Sequence, residues 1–511
     1  MTDPTTSRTG TPGSAVAVPF AAIVLAMLPA VLDQTILATG LPTIASDLGS
    51  LTDVSWLVTA YVVAAAASTP LWGKLGDRYG RKRLLEISLV VFVSASALCG
   101  AAQSITELIV LRAVQGAAAG GLMTLAMAAV GDLVAPRERG RYQGYIAATF
   151  AVATVVGPLL GGVLVDHASW RWVFYVNLPV GIAALVGLSL RLPAPETERP
   201  ERPLDTYGAA LLAGATSALM LVCVWGGDRY AWDSGPIFGL IAGTVLLSGA
   251  LVVRERRAAD PIVPFHLLRT RAVAVASTAL FFGTAALFSI TVFVPLFLQT
   301  TTDASPTQAG LLLVPMMIGL TLSTTLSGRS IARTGRYKRF PIAGLSLMTA
   351  ALGLLAALAG NPSQAATGVG LVVFGLGFGM VTQVLIVAVQ NSVERSELGV
   401  ATATTGFFRA LGGAIGAAVL GAVFAARAGM HASEGGVQAL GAAARADIVD
   451  AVQLVFVVAA PLAAIALIAV LRLPELPLQT RGGGVNAPAR STSRRERYTT
   501  RLRSRKEPSS A

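Results

Sequence analysis

Long apolar stretches without a single charge constrain this chain more than any other feature. Ile87 to Thr106, Ala113 to Gly131 and Val455 to Val470 are three of them. Each approaches the roughly 20 residues that cross a bilayer as helix. Charged residues make up only 13% of the chain, against about 25% in a water-soluble domain, and the mean hydropathy is +0.67. The chain therefore reads as a polytopic, all-α membrane protein whose main solvent is lipid.

Marking the apolar blocks gives fourteen candidate spans. The loops test that count, because basic residues gather on the cytoplasmic side. Of 39 lysines and arginines, only Arg171, Arg229, Arg427 and Arg445 fall in loops on one side, and only Arg112 and Arg409 lie inside blocks. The rest fall on the alternate loops and tails, which sets both termini in the cytoplasm. The first block carries Asp33 and is too long for the core of a signal peptide, so it is expected to stay as the first span. The nine basic residues after position 480 sit among Ser, Thr, Gly and Pro. They read as a disordered tail touching anionic lipid rather than a nucleic-acid module.

Several function classes are excluded. Cys99 and Cys223 both lie in apolar blocks and read as packed free thiols. His167, His266 and His431 are far apart, with no metal-ligand spacing. There is no G-x-x-x-x-G-K-[ST] loop for ATP and no nucleophile–base set. No cofactor, metal or enzymatic activity is expected.

The chain also repeats itself. Gly73, Arg78, Gly80 and Arg81 after the second span recur as Gly328, Arg333, Gly335 and Arg336 after the tenth, 255 residues on. The same offset carries Gly157 and Gly161 onto Gly412 and Gly416. Two matches at one offset imply duplicated six-span halves with two spans inserted between them. The expected layout is a cytoplasmic tail over 1–15, a first half over 16–190, a linker with two extra spans over 191–270, a second half over 271–471 and the basic tail over 472–511. Such repeats characterise secondary transporters, whose substrates bind between two rocking halves.

These residues resemble the major facilitator superfamily, and within it the fourteen-span drug:proton antiporter branch. Gly73 to Arg83 is similar to the superfamily's loop between spans two and three. The resemblance implies that Gly73, Asp77, Arg78, Gly80 and Arg81 form a charge latch on the inner gate, with Asp132 pairing through Arg81. Leu111-Arg112-Ala-Val-Gln115-Gly116 is similar to the fourth-span motif, which implies a proton-transfer role for Arg112. Gly157, Pro158, Gly161 and Gly162 resemble the antiporter motif of span five, although Ala153 stands where the family usually has another glycine. Leu32-Asp33-Gln34-Thr35 and Trp170 to Pro179 resemble segments typical of the fourteen-span branch.

Asp33 is the one ionisable group of the first block. Desolvation favours the neutral form of a carboxyl and a nearby cation the ionised form. With Arg112 beside it in one conformation only, Asp33 would bind and release protons as the halves tilt. The expected activity is proton-coupled antiport that exports hydrophobic small molecules across a bacterial inner membrane, as a monomer with protons, a small amphiphile and the bilayer as partners. A metabolite facilitator or symporter, or a lipid exporter, is the alternative. Gln34, Gln115, Phe288, Gln383 and Arg409 are candidates for the substrate cavity, Phe288 lying opposite Asp33 by the 255 offset. No acid falls between Arg271 and Gln390 except Asp303, so neutral or weakly charged amphiphiles are expected over dications, with Arg409 available to an anionic group.

Overall fold

The structure, a computed structural model, describes residues 14–48, 56–193, 205–227, 229–258, 260–262, 265–302, 313–359, 364–428 and 442–478. The first thirteen residues, Asp303 and the basic tail beyond residue 478 lie outside that set.

The described residues fold into helices, and the lone bridge between Gly226 and Tyr230 is their only strand-like pairing. The first half comprises α1 (Ser14–Leu48), α2 (Trp56–Tyr79), α3 (Arg81–Ala101), α4 (Ile105–Leu133), α5 (Arg139–His167) and the broken pair α6 (Trp172–Tyr175) and α7 (Asn177–Arg191). Two more helices follow, α8 (Thr206–Trp225) and α9 (Gly235–Arg257), then the short α10 (Phe265–Arg269). The second half holds α11 (Arg271–Thr302), α12 (Val314–Thr334), α13 (Arg339–Leu358), α14 (Gln364–Gly379), α15 (Thr382–Ser392), α16 (Leu398–Ala428) and α17 (Ala442–Leu471). The buried apolar clusters divide in the same way. Two draw on residues from Val16 to Leu192 and one on residues from Leu267 to Leu473, and none uses α8 or α9.

Thirteen helices among the described residues are long and apolar enough to cross a membrane. The tenth span of the sequence count falls on α12, which is not among them. The first six residues of that expected span, 307–312, lie outside the described residues, and the part that is described is rich in hydroxyls. Thr321, Ser323, Thr324, Thr325 and Ser327 each bond a carbonyl one turn back or share one, and Ser323, Thr324 and Ser327 are buried in the bundle.

The repeat is visible in the backbone. Gly80 ends α2 with φ 91° and Gly335 ends α12 with φ 70°, a region that favours glycine. They are the pair related by the 255 offset. The small-residue faces also repeat. A Cβ at Gly157 would stand 2.7 Å from the Thr35 Cβ, and one at Gly412 would stand 2.6 Å from the Phe281 Cα. Each half thus presses its fifth helix against its first through glycines. That register makes Phe281, not a residue near Phe288, the counterpart of the Thr35 neighbourhood, so the 255 offset drifts in α11.

Candidate functional site

The interior of the first half holds a closed ionic cluster. Arg112 projects from α4 one turn before Gly116. A Cβ at Gly116 would stand 2.6 Å from the Tyr61 Cα, so the missing side chain lets α2 lie directly against α4. The approach brings the Tyr61 ring under the guanidinium at 4.3 Å and the Leu57 carbonyl to within 3.1 Å of Nε. Across the bundle Nη1 donates to Asp33 Oδ2 at 2.5 Å and to Gln115 Oε1 at 2.7 Å. Asp33 Oδ1 accepts from Gln115 Nε2 at 3.0 Å and from Asn177 Nδ2 at 3.2 Å. Asp33 is 0% and Arg112 1% exposed. A carboxylate and a guanidinium removed from water are tolerable only when their remaining bonds are met, and here the amides of Gln115 and Asn177 meet them.

A cavity of about 1290 Å³ lies between the halves. It runs from Thr402, Ile386 and Met127 at the end carrying the basic loops to Trp232, Gly226 and Ala426 at the other. Gln34, Phe288, Gln383 and Arg409 line it as expected. Gln115 does not, being fully buried in the Asp33 cluster. Helix spacing put Gln115 on the face of Arg112 but could not say which neighbour that face meets. Tyr61 lines the cavity too. Its ring faces the guanidinium on one side, and its hydroxyl donates to the Ala30 carbonyl at 3.2 Å, so it forms part of the partition between cavity and ion pair.

The basic end is shut by ties between the halves. Asp77 accepts from Gly399 N at 2.9 Å and Val400 N at 2.8 Å, placing a carboxylate on the open N-terminus of α16. Its Oδ1 also holds Arg81 Nη2 at 2.5 Å. Arg81 reaches Asp132 through Nη1 and donates from Nη2 to the Arg395 carbonyl at 3.0 Å. Arg137 donates to the carbonyls of Ala332 and Arg333, each at 2.9 Å, at the C-terminus of α12. Each helix end thus meets the charge its dipole favours. Gly328 and Gly140 touch backbone to backbone beside these ties.

Arg78 takes a different partner from Arg81. Together with Lys74 it holds Asp260, between α9 and α10. Asp260, Arg395, Asn177 and Tyr61 were not picked out as site residues by sequence. The signal for Asn177 was available, since it is the one amide in the run from Trp170 to Pro179. Gly157 and Gly161 press on α1 at Thr35 and Ile36, whereas Gly162 meets nothing within 4 Å. Pro158 sits inside α5, which remains one helix.

A helical membrane bundle with a central cavity, closed at one end by charge-assisted hydrogen bonds between repeated halves, is the architecture of a secondary transporter. Residues 23–417 match the family model of the Major Facilitator Superfamily, and the chain belongs to that superfamily. It is 43% identical over 406 residues to an uncharacterized MFS-type transporter of Mycobacterium tuberculosis, a match that covers 79% of this chain and 59% of that relative's length. It is 36% identical over 407 residues to the multidrug transporter protein MdtP of Bacillus subtilis, covering 80% of this chain and 75% of the relative. Multidrug resistance protein 3 of Bacillus subtilis is 33% identical over 401 residues, 78% of either chain. The proton:xylose symporter XylE bound to 6-bromo-6-deoxy-D-glucose shares the fold at a TM-score of 0.64 and 12% identity, over 91% of this chain and 98% of that one. So does the human organic anion transporter MFSD10, at 0.61 and 17%, over 90% and 100%.

Proposed function

We propose that this chain is a proton-coupled antiporter that exports small amphiphiles, including drugs, across a bacterial inner membrane. The observation that carries the reading is the Asp33–Arg112 pair, sealed from water yet separated from the cavity by little more than Tyr61. The names of the two Bacillus subtilis relatives supply the cargo class, and export is the direction by which a transporter confers resistance. In this reading the fourteen helical passes, α12 among them, set both termini in the cytoplasm, and the chain works as a monomer.

The latched basic end is then the closed cytoplasmic gate, and the cavity faces outward. Opening the gate requires Asp77 to leave α16 and Arg81 to release Arg395. The halves tilt, α1 slides against α4, and Arg112 withdraws from Asp33. A buried carboxyl that has lost its counter-ion holds a proton in preference to a charge. The proton that takes the guanidinium's place enters from the outward-facing cavity before the gate opens and leaves to the cytoplasm through the open gate, where Arg112 re-pairs with Asp33 and the ionised pair returns with the cargo to the latched state. One proton entering across ~100 mV yields about 2.3 kcal/mol, and each pH unit adds about 1.4. A single proton per cycle can therefore hold a cargo gradient of order a hundredfold.

The test is efflux from proteoliposomes at a defined pH gradient. Asp33→Asn should reduce gradient-driven efflux to the level of empty liposomes while leaving cargo binding in place. Full efflux by that variant would remove Asp33 from the coupling mechanism.

A further inference from the structure

Arg409 has no role in the ion pair or the gate. It projects from α16 into the cavity and is exposed there. No hydrogen bond, ion pair or ring contact ties its guanidinium to another described residue, and it is the one charged side chain among those that line the cavity. The nearest carboxyl of the bundle interior, Asp33, is already neutralised by Arg112 and lies behind Tyr61. An isolated cation in the middle of a membrane bundle is expensive by about 2.5–3.5 kcal/mol on insertion scales. Such a group is expected to serve a ligand unless a structural partner is present, and none is.

The surroundings of Arg409 are arranged for a ligand rather than for packing. Its own helix presents a stripe of small residues to the cavity, with Gly406, Ala410, Gly413 and Ala414 on either side of it. One turn further along, a Cβ at Gly413 would stand 2.8 Å from the Phe288 ring and 3.5 Å from the Thr284 Cγ2. The Thr284 hydroxyl, the Thr382 hydroxyl and the Gln383 Oε1 are buried without a hydrogen-bond partner, and all three residues line this cavity. Much of the remaining wall is apolar and adaptable, with Met123, Met220, Phe378 and Trp232 among it. Neutral polar groups line the cavity from both halves, Gln34, Thr59, Thr124 and Thr154 among those of the first, but its one charge stands in the second.

We propose that the cavity selects monoanionic amphiphiles, the Arg409 guanidinium holding the anionic head and Thr284 and Phe288 flanking it. A planar guanidinium matches a carboxylate or sulfonate in a two-point fork. A cationic head would meet unscreened repulsion in the same low-dielectric space. A dianion would bring one charge more than Arg409 can match. This deepens the reading that the cavity holds the cargo and rests on that reading, but it does not depend on proton coupling. It also sharpens the expectation of neutral or weakly charged cargo over dications drawn from the missing acid. The guanidinium without a partner among the described residues favours anions over neutral molecules.

The test uses three probes with one apolar body: 4-(1-pyrenyl)butyrate, 1-pyrenebutanol and 1-pyrenebutyl-trimethylammonium. Binding to the full-length protein in phosphatidylcholine nanodiscs is read by energy transfer from tryptophan, Trp232 included, to pyrene. The wild type should bind the carboxylate at least tenfold more tightly than the alcohol and more tightly still than the ammonium. Arg409→Gln should weaken carboxylate binding about 10–100-fold, the range for losing a charge-assisted bond, and leave the alcohol within about twofold. Arg409→Lys should keep the carboxylate ahead of the ammonium, and if the glutamine variant does not fold, this variant and the wild-type ranking decide. Equal binding of the three probes by the wild type, or a carboxylate affinity indifferent to Arg409→Gln, overturns the proposal. Loss of the carboxylate advantage on adding phosphatidylglycerol to the nanodiscs assigns the guanidinium to a lipid headgroup and also overturns it. Selective, Arg409-dependent binding without any gradient-driven transport would sink the antiport reading and leave the anion site standing.

Discussion

The two halves each place an arginine inside the bundle and treat it in opposite ways. Arg112 is 1% exposed and every face of its guanidinium is engaged, by Asp33, Gln115, the Leu57 carbonyl and the Tyr61 ring. Arg409 faces open space with nothing to neutralise it. Around these two residues the halves still agree. Gly80 and Gly335 both adopt a positive φ, and glycines of α5 and α16 press on α1 and α11 in the same manner. Duplication therefore preserved the parts that let helices touch and turn, while the charges diverged. One half came to hold a closed pair and the other an open cation. In the proposed reading the closed pair serves the proton and the open cation serves the cargo.

The largest effect should come from breaking the closed pair. Arg112→Ala leaves the Asp33 carboxylate buried without its cation, which costs about 3–5 kcal/mol. Asp33→Asn is milder, because Gln115 and Leu57 still accept from the guanidinium. The double variant Asp33→Asn/Arg112→Ala should be more stable than Arg112→Ala, since no buried charge is left alone. Thermal melting of the purified variants in one detergent gives the coupling. Strict additivity of the two single changes would mean that Arg112 and Asp33 do not act as a pair, and the contrast with Arg409 would dissolve.

The open cation makes a second, smaller prediction, on charge movement. If one proton enters for each monoanion that leaves, two charges move inward per cycle. The membrane potential then contributes about 4.6 kcal/mol per 100 mV, against about 2.3 for a neutral cargo and none for a monocation. Proteoliposomes with a potassium diffusion potential and no pH gradient should accumulate pyrenebutyrate far more steeply with voltage than pyrenebutanol. Equal voltage dependence would show that the carboxylate crosses as its neutral acid, and Arg409 would then hold no anion during transport.

How much of this was legible in the sequence follows from where each group stands. A charge in a run of apolar residues announces itself, so Asp33, Arg112 and Arg409 stood out without coordinates. The doubling of the glycine loops was legible from their fixed spacing, and the Arg81–Asp132 tie from the family resemblance of the loop that carries Arg81. Partners across the halves were not. Asp77 meets the backbone of Gly399 and Val400 more than 300 residues away, and backbone amides carry no sequence signal. Arg78 turned to Asp260 because the inserted helices bring that loop beside α2, which no pattern within either half could indicate. The Gln115 assignment failed on geometry of the same kind. Helix periodicity specifies which residues share a face, but only packing decides whether the face meets a cavity or a carboxylate. Span ten tested the opposite limit. The apolar block over 307–328 and the loop-charge alternation both mark this span in the sequence, whereas its described part, α12, is too polar to be counted by length and composition alone.

The smallest prediction concerns a third arginine, which belongs to neither half. Arg254 on α9 donates from Nε to both oxygens of Asp205, each at 3.0 Å, and Asp205 also caps α8 by accepting from Gly208 N at 2.9 Å. Burial opposes the charge of Asp205, but the bonds from Arg254 and Gly208 outweigh it and hold the carboxyl below its usual value. A carboxyl lowered on folding contributes stability above its unfolded value of about 3.9, and loses that contribution as pH falls through the folded value. Asp205→Ala should therefore cost about 1 kcal/mol at neutral pH, the usual worth of an N-cap. The melting temperatures of variant and wild type should converge as the pH is taken down through the acid range. This pair lies at a helix end with Asp205 buried but its arginine half in solvent, so it supplies the scale for a carboxylate–guanidinium contact that burial magnifies less than it does the interior pair. Should Asp205→Ala destabilise as much as Arg112→Ala, burial would not be what distinguishes the interior pair, and the contrast between a sealed arginine and an open one would lose its physical basis.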